Sequence, residues 1–179
     1  LDVATTPFDQ DRPQGSIAAA GAPAYAVLDH GSINLATLRY RLKGEPMRIA
    51  EQGFKAGDRQ VPAGSFIVEG RSYEKLKAAV VPLGLTAIAL PDKPSVPMHA
   101  AALPRLAVYS TWGSTQNVGW VRYAFDQYET PYDLIFKDEV KKGGLRAKYD
   151  VIVVPSQGRS AKNLVFDLPM PGSPLPYTK

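Results

Sequence analysis

The sequence predicts an α/β protein with two parts, a small β-α-β-β-α-β unit followed by an incomplete parallel sheet. Three observations support this prediction. Short apolar runs typical of buried strands recur along the chain, at residues 25–28, 106–110 and 151–154. Segments with apolar residues three and four positions apart, typical of amphipathic helices, lie between them. Clusters of proline and glycine end the helices and separate the two parts.

The first part is predicted to be a compact unit over residues 24–90, after an irregular lead-in over residues 1–23. Its four strands are the apolar or alternating runs at residues 25–28, 47–52, 65–69 and 86–90. Turn signals at Gly57-Asp58 and at residues 62–64 separate the second strand from the third. Two helices complete the β-α-β-β-α-β order.

Both helices of this unit are predicted to begin at a serine that caps the first turn. The first helix follows Ser32 and ends before Gly44, although the alternation at residues 39–42 would also suit a strand. The second helix follows Ser72. Their inward-facing residues are predicted to be Leu35, Leu38 and Leu42 in the first helix and Leu76, Ala79 and Val80 in the second.

A proline-rich stretch over residues 91–104 is predicted to be a linker or a covering arm. The second part spans residues 105–168, and its strand-helix-strand-helix-strand order predicts a parallel sheet with right-handed crossovers. Its first helix is capped by Ser114 or Thr115 and carries four large residues at helical spacing. They are Val118, Val121, Phe125 and Tyr128.

The run at residues 151–154 is typical of a parallel strand that is buried on both faces. Residues 163–168 would suit one more strand or helix, and residues 169–179 form a proline-rich tail that can continue neither. Since a doubly wound sheet needs more than three strands, the second part is expected to be truncated.

The composition excludes several kinds of chemistry. The chain has 179 residues, of which 45% are hydrophobic and 21% charged, and it has no cysteine. A disulfide scaffold, a thiolate zinc site and a cysteine nucleophile are therefore excluded. Only His30 and His99 could serve as imidazole ligands or general bases. No apolar run approaches the about twenty residues that a membrane-spanning helix needs, so no membrane span is expected.

The net charge of +4 is spread thinly along the chain. The densest basic stretch lies within residues 141–148, and Asp138, Glu139 and Asp150 stand beside it. Nucleic-acid binding usually requires a basic stripe with stacking aromatic residues. The mixed charges instead favour a solvated surface, so no nucleic-acid partner is expected.

Two loops are predicted to lie at the carboxyl ends of parallel strands, where ligands bind in such sheets. Together they offer hydroxyl groups, a helix N-terminus and one guanidinium, which would suit a carboxylate or a phosphate. Ordinary turn and capping chemistry would explain the same residue types. The candidate ligand-binding residues are Ser110, Thr111, Trp112, Gly113 and Ser114 in the first loop and Ser156, Gln157 and Arg159 in the second.

No catalytic template is present in the sequence. There is no G-x-S-x-G elbow, no glycine-rich phosphate loop and no H-E-x-x-H metal motif. Asp29 and His30 are adjacent, and their predicted role is a turn that leads into the first helix. His99 has no acidic residue or second histidine near it in the sequence, which favours an exposed or packed loop histidine over a metal ligand.

Two longer patterns resemble a known family. The first is G-W-x-R-x-x-x-(Asp or Glu)-Gln-Tyr at residues 119–128, and the second is L-R-A-(Lys or Arg)-(Tyr or Phe)-Asp-V-I at residues 145–152. With the segments around them, over residues 24–160 or so, they resemble exported bacterial zinc carboxypeptidase-like proteins of the carboxypeptidase A type. In that family a region similar to class I glutamine amidotransferases follows the peptidase domain.

The resemblance implies a flavodoxin-like or amidotransferase-like sheet that has lost its catalytic cysteine. It also implies that zinc, its ligands and the catalytic glutamate belong to an upstream peptidase domain, so no catalytic residue and no metal ligand are assigned to this chain. The expected function is that of a non-catalytic accessory region, exported with the peptidase domain and packing against it or controlling access to its cleft.

Two alternatives remain open at the level of sequence. One is a module that binds a small anion or a peptide carboxylate at the two loops described above. The other is a hydrolase that uses a serine, which would require one of the two histidines to lie beside Ser110, Ser114 or Ser156.

Overall fold

The computed structural model describes residues 4–7, 14–111 and 115–156. The chain forms two compact units, Leu1–Leu103 and Pro104–Lys179, which are called the first and the second unit below. Both combine helices with strands, so the predicted α/β class is confirmed. Within the described residues, no helix has both the length and the apolar character needed to span a bilayer.

The first unit contains a six-stranded sheet, two helices and a separate hairpin. The elements in chain order are β1 Ser16–Ile17, β2 Ala24–Val27, α1 Asn34–Arg41, β3 Met47–Ala50, β4 Phe54–Ala56, β5 Arg59–Val61, β6 Phe66–Glu69, α2 Tyr73–Val80, β7 Thr86–Leu90 and β8 Met98–Ala100. The strands of the sheet are ordered β1-β7-β2-β6-β3-β8. Only the β1–β7 pair in this sheet is parallel.

The predicted β-α-β-β-α-β order is confirmed by β2, α1, β3, β6, α2 and β7. These four strands lie side by side as β7-β2-β6-β3, which is the ferredoxin-like arrangement. The region that could have been a strand, residues 39–42, continues α1 as far as Arg41, because Leu38 and Leu42 must both reach the core on one helical face.

Both faces of this sheet are covered. One face packs against α1 and α2 through a core that includes Tyr25, Val27, Leu38, Leu76 and Val80. The residues of β2 that alternate with these point to the other face, where the β4–β5 hairpin packs on them. All four residues of β2 are therefore buried, as a short, wholly apolar run predicts.

The β4–β5 hairpin is an element that the sequence did not predict, since only its turn was recognised. Gly57 has a φ of +59°, the positive value that a glycine-first hairpin turn requires. Each strand has only three residues, and its inward-facing side chains are Phe54, Ala56 and Val61. Such short strands show too few alternations to be distinguished from a loop.

Two edge strands also lie where irregular chain was expected. β1 belongs to the predicted lead-in and β8 to the predicted linker. β8 pairs with β3, and Arg48 extends this contact by donating from Nη2 to the carbonyl of Met98 at 2.7 Å. Ile17 of β1 and Met98 of β8 pack against the two cores, but strands of two and three residues are too short to show an alternating hydrophobic pattern in the sequence.

Neither predicted serine cap forms. The N-cap residue of α1 is Ile33, which has no side-chain cap, and Ser32 lies one residue earlier, where its hydroxyl accepts a hydrogen bond from the Asn34 backbone amide at 3.3 Å. The Ser72 hydroxyl makes no capping bond and donates instead to the Glu45 carboxylate. Lys75 also pairs with Glu45, and hydrogen bonds from Lys75 and Ser72 hold the pKa of this carboxyl below its usual range. Glu45 thus ties the end of α1 to the start of α2.

The second unit is a three-stranded parallel sheet with helices. Its elements are β9 Leu106–Tyr109, α3 Thr115–Gln127, β10 Asp133–Ile135, α4 Lys137–Lys142, α5 Leu145–Lys148 and β11 Val151–Val153. The strand order is β10-β9-β11, and both pairs are parallel as predicted. Of the four large residues predicted at helical spacing on α3, Val118 is buried and Val121 and Phe125 are half-buried, whereas Tyr128 is exposed.

The prediction for β11 is wrong in one respect. The sequence predicted a strand that is buried on both faces, yet Val151 is 45% exposed and Ile152 36% exposed. The reason is position: within the described residues β11 pairs only with β9 and forms an edge of the sheet. The central strand β9, in contrast, has Ala107, Val108 and Tyr109 buried.

An ion pair closes the amino-terminal end of this sheet. The Arg105 guanidinium donates to both oxygens of Asp150, from Nε at 3.1 Å and from Nη2 at 2.8 Å. The backbone amides of the two residues reinforce it: Arg105 donates to the Asp150 carboxylate and Asp150 donates to the Arg105 carbonyl. Hydrogen bonds from the Arg105 side chain and backbone lower the pKa of Asp150 to about 2. The pair fixes where β11 begins beside β9.

We expect Asp150→Asn to destabilise the second unit at neutral pH, because the amide gives up the charge that Arg105 binds. The folded-state pKa of Asp150 lies below its ordinary value of 3.8, so its stabilising effect is complete above that value and is lost as the pH falls through about 2. The difference in melting temperature between wild type and variant should therefore shrink over this interval. Asp92→Asn, at an exposed carboxylate in the first unit, is the control. A difference that does not change with pH would contradict the assignment.

We expect Gly70→Ala to destabilise the first unit by about 1–3 kcal/mol, since the added methyl group overpacks a closed contact. A Cβ at residue 70 would lie 2.0 Å from the carbonyl oxygen of Ala22, and the Gly70 amide donates to the Pro23 carbonyl at 2.8 Å. Gly44→Ala is the matched control, because a Cβ there would meet nothing within 4 Å. Urea unfolding followed by circular dichroism measures both variants, and equal midpoints for the two would refute the expectation.

Candidate functional site

The two loops that the sequence singled out follow strands that lie side by side. β9 and β11 run parallel, with Leu106 beside Val151 and Val108 beside Val153, so both strands end at the same edge of the sheet. Residues 110–111 follow β9, and residues 154–156 follow β11. This edge is the carboxyl end of the sheet, where the sequence placed its candidate site.

The loop after β9 enters the core of the second unit before it reaches the helix. Ser110 and Thr111 are 7% and 4% exposed. The Ser110 amide donates to the carbonyl of Ile135 at 2.9 Å, which holds this loop to the end of β10. The start of the loop is therefore fixed by backbone pairing on one side and by burial of two hydroxyl-bearing residues.

A side chain that the sequence analysis missed joins the two loops. Asn117, in the first turn of α3, donates from Nδ2 to the carbonyl of Ser156 at 3.1 Å. The signal for it was weak, because one asparagine near a helix start is common in any α/β loop. Its amide links the start of α3 to the loop after β11, so one hydrogen bond joins the two loops at this edge.

The strand order places a topological switch point at this edge. The chain goes from β9 to β10 on one side, and then from β10 across to β11 on the other side of β9. Val140, Leu145 and Tyr149 from the second crossover pack on the face that carries Ala107 and Tyr109. Crossovers between parallel strands are right-handed in nearly all proteins, and two that run in opposite directions lie on opposite faces, so α3, which contacts β9, is expected on the other face. In open α/β sheets, the crevice between such diverging crossovers is where ligands bind.

The structure covers only part of the predicted site. Ser110, Thr111 and Ser156 lie at this edge as described, and Asn117 joins them. The other five candidates fall outside the described residues: they are Trp112, Gly113, Ser114, Gln157 and Arg159. The described members are all uncharged, so this part of the edge offers hydroxyl, amide and backbone groups for hydrogen bonding but neither a cation nor a general base.

The histidines both belong to the first unit. His30 is exposed in the turn after β2, where the Asp29 carboxylate accepts from the Gly31 amide at 2.8 Å, so the predicted turn at Asp29 is confirmed. His99 lies in β8 rather than in a loop, and its Nδ1 is 3.1 Å from Oε1 of Glu51. The prediction of a loop histidine is therefore wrong, whereas its predicted exposure is confirmed; the pairing of β3 with β8 brings it beside an acidic residue 48 positions away in sequence.

No group of three or more potential metal-ligating side chains occurs in residues 4–7, 14–111 and 115–156. Among the described residues, the contact between Glu51 and His99 is the one that joins a carboxylate to an imidazole. Both side chains are about half exposed. A pair of this kind on an edge strand contributes little to stability.

Comparison of this chain with protein-family models, with curated proteins and with solved structures found no match in any of the three.

Proposed function

We propose that this chain is a non-catalytic accessory region of an exported metallocarboxypeptidase-like protein, and that its second unit packs against the peptidase domain of the same polypeptide. Zinc and the catalytic groups would then belong to that domain. The observation that carries the proposal is the exposed apolar surface of β11 and the residue that follows it. Val151, Ile152 and Val154 are 45%, 36% and 53% exposed.

This surface is unusual for a strand in a parallel sheet. Both faces of a parallel sheet are normally covered by helices, and the sequence of each strand is therefore a continuous apolar run. Residues 151–154 form such a run, yet Val151, Ile152 and Val154 are exposed. Burial of apolar surface is favourable by roughly 25 cal/mol per Å². Contact with another polypeptide would therefore be favourable here, and a peptidase domain in the same chain would be present at high effective concentration.

The residues of the second family-like pattern, 145–152, also make contacts that stabilise the second unit. Leu145 packs into the core of the second unit, and the Ala147 carbonyl accepts a hydrogen bond from Arg105 at 2.7 Å. Asp150 forms the ion pair that positions β11, and Val151 begins that strand. The pattern is thus accounted for by the placement of the exposed strand, which supports a role in packing rather than in chemistry.

A second candidate function is binding of a small anion or a peptide carboxylate at the carboxyl edge of the sheet. The switch point between β9 and β11, with Asn117 bridging the two loops, favours it. Titration calorimetry with acetate and with a short peptide is the test. If the site exists, Arg159→Ala should reduce the binding constant while Arg146→Ala leaves it unchanged. Absence of binding heat with both ligands would exclude this candidate.

We expect the purified chain to release no C-terminal amino acid from peptide substrates, with or without added zinc. The proposal assigns the metal and the catalytic glutamate to another domain, so no hydrolysis should arise from this one. Mass spectrometry of a peptide mixture after long incubation is the measurement, with a zinc carboxypeptidase as the positive control. Zinc-dependent release that co-purifies with the chain would refute the proposal.

We expect Val154→Lys to weaken binding of the chain to the peptidase domain encoded upstream in the same reading frame by about tenfold or more, because a lysine ammonium would lose hydration at the contact. Val154 follows the last residue of β11, so the strand pairing itself is not altered. Ala147→Lys adds the same charge at another exposed position of the second unit and should bind as wild type. A reading frame without a peptidase domain, or equal affinity of all three proteins, would overturn the proposal.

A further inference from the structure

The outward face of α3 is free of charge, which is unusual for an exposed helix. Six exposed residues of α3 have uncharged side chains. With a repeat of 3.6 residues per turn, they occupy the side of the helix that points away from the buried Val118. They are Gln116, Gly119, Trp120, Tyr123, Ala124 and Gln127. These six residues are called the α3 face below.

Two large aromatic side chains dominate the α3 face. Trp120 is 64% exposed and Tyr123 is 58% exposed. Their rings contact each other edge to face, with centroids 6.2 Å apart and an interplanar angle of 90°. Depletion of charge combined with exposed tryptophan and tyrosine is the composition of a protein–protein contact. Because the two rings are perpendicular, they do not form a flat platform for stacking on a sugar or a base.

The charged residues of α3 lie off this face and are engaged elsewhere. Arg122 donates from Nε to the Tyr132 hydroxyl oxygen at 3.3 Å, and that hydroxyl donates to the Asp126 carboxylate at 3.2 Å. The network keeps a guanidinium and a carboxylate at the side of the helix. The α3 face can therefore approach another uncharged surface without burying an unpaired charge.

Among the described residues, nothing packs where a side chain of Gly119 would lie. A Cβ at this position would meet nothing within 4 Å, and glycine in a helix interior costs about 1 kcal/mol relative to alanine. The absence of a side chain is therefore not required by any neighbour in the described structure. A glycine at this position would allow an external surface to come close to the helix backbone beside Trp120.

The order of residue types along the α3 face is the same in both directions. Gln116 and Gln127 lie at the two ends, Gly119 and Ala124 lie further in, and Trp120 and Tyr123 lie at the centre. If a second α3 runs antiparallel to the first, residue 116 is at the height of 127, residue 119 at the height of 124, and residue 120 at the height of 123. Amides then meet amides, which can both donate and accept, and aromatic rings meet aromatic rings.

We propose that the partner of the α3 face is a second copy of this chain, packed antiparallel about a two-fold axis. A two-fold contact must be self-complementary, and the reversible order of the α3 face together with its lack of charge satisfies this requirement. The contact is small. α3 has 13 residues and is roughly 20 Å long, so one helix pair makes a contact below the size of stable dimers. The dimer is accordingly weak, so the fraction of associated chains rises with protein concentration.

Sedimentation velocity of the full chain over a wide concentration range tests the association. The weight-average mass is expected to rise from 19.4 kDa towards twice that value. Tyr123→Lys should remain monomeric, because two ammonium groups would meet near the axis, while Ala147→Lys should associate as wild type. A wild-type mass that stays at 19.4 kDa at the highest concentration would overturn the proposal, as would association of the Tyr123→Lys protein.

Disulfide trapping tests the orientation, since the chain has no cysteine of its own. Gln116→Cys and Gln127→Cys are prepared separately and oxidised alone and as an equimolar mixture, with circular dichroism to show that each is folded. The antiparallel pair is expected to give a crosslinked dimer in the mixture, joined between residues 116 and 127, and little from either variant alone. Crosslinking of the single variants at the rate of the mixture would indicate parallel or random contact and would overturn the proposal.

Discussion

The structure of both units depends on one constraint: both faces of a short apolar strand must be covered by other elements. In the first unit β2 meets this constraint fully, because α1 and α2 pack on one face and the β4–β5 hairpin packs on the other. In the second unit β9 meets it through crossovers on opposite faces. β11 has the same composition but stands at an edge with Val151 and Ile152 exposed. The incomplete cover of β11 is the observation on which the proposed role in assembly rests.

Polar contacts decide where the elements end, and apolar contacts decide how they stack. Asp150 accepts from both the side chain and the backbone of Arg105, which sets the start of β11 against β9. Glu45 joins the loop after α1 to Ser72 and Lys75 at the start of α2. Both carboxylates are held by short-range hydrogen bonds that lower their pKa values, so both remain ionised over the ordinary pH range. Neither lies in the candidate site, whose described members Ser110, Thr111, Asn117 and Ser156 are uncharged.

Hydrophobic pattern predicted the longer elements of the core and missed the shortest ones. The strand at Tyr25 and the helix that buries Leu76 were recognisable because their side chains form the core and repeat with the period of the element. β8 was missed because only Met98 of its three residues packs against the core, and its hydrogen bonds to β3 leave no trace in residue types. Burial of β11 was predicted wrongly for a related reason. An apolar run indicates that a strand can be buried, but it does not indicate whether the strand has a neighbouring strand on each side.

The candidate site also has a part that could be predicted from the sequence and a part that could not. Its position at the ends of β9 and β11 could be predicted, since parallel strands present their carboxyl ends at one edge. The bridge from Asn117 to Ser156 could not, because it depends on how closely the first turn of α3 approaches the loop after β11.

The two family-like patterns therefore correspond to different physical tasks. The pattern at residues 145–152 combines a core residue, a hydrogen-bonded carboxylate and an edge strand, and all of these act within the second unit. The pattern at residues 119–128 begins with Gly119, where a Cβ would meet nothing within 4 Å, and Trp120, which is 64% exposed and contacts Tyr123 on the same helix. Stability of the isolated unit does not require a glycine and an exposed tryptophan in mid-helix, since alanine and a charged residue would serve it better. The proposed contact of α3 with a second copy accounts for residues that cost stability at a surface, since this face presents aromatic rings and no charged side chain.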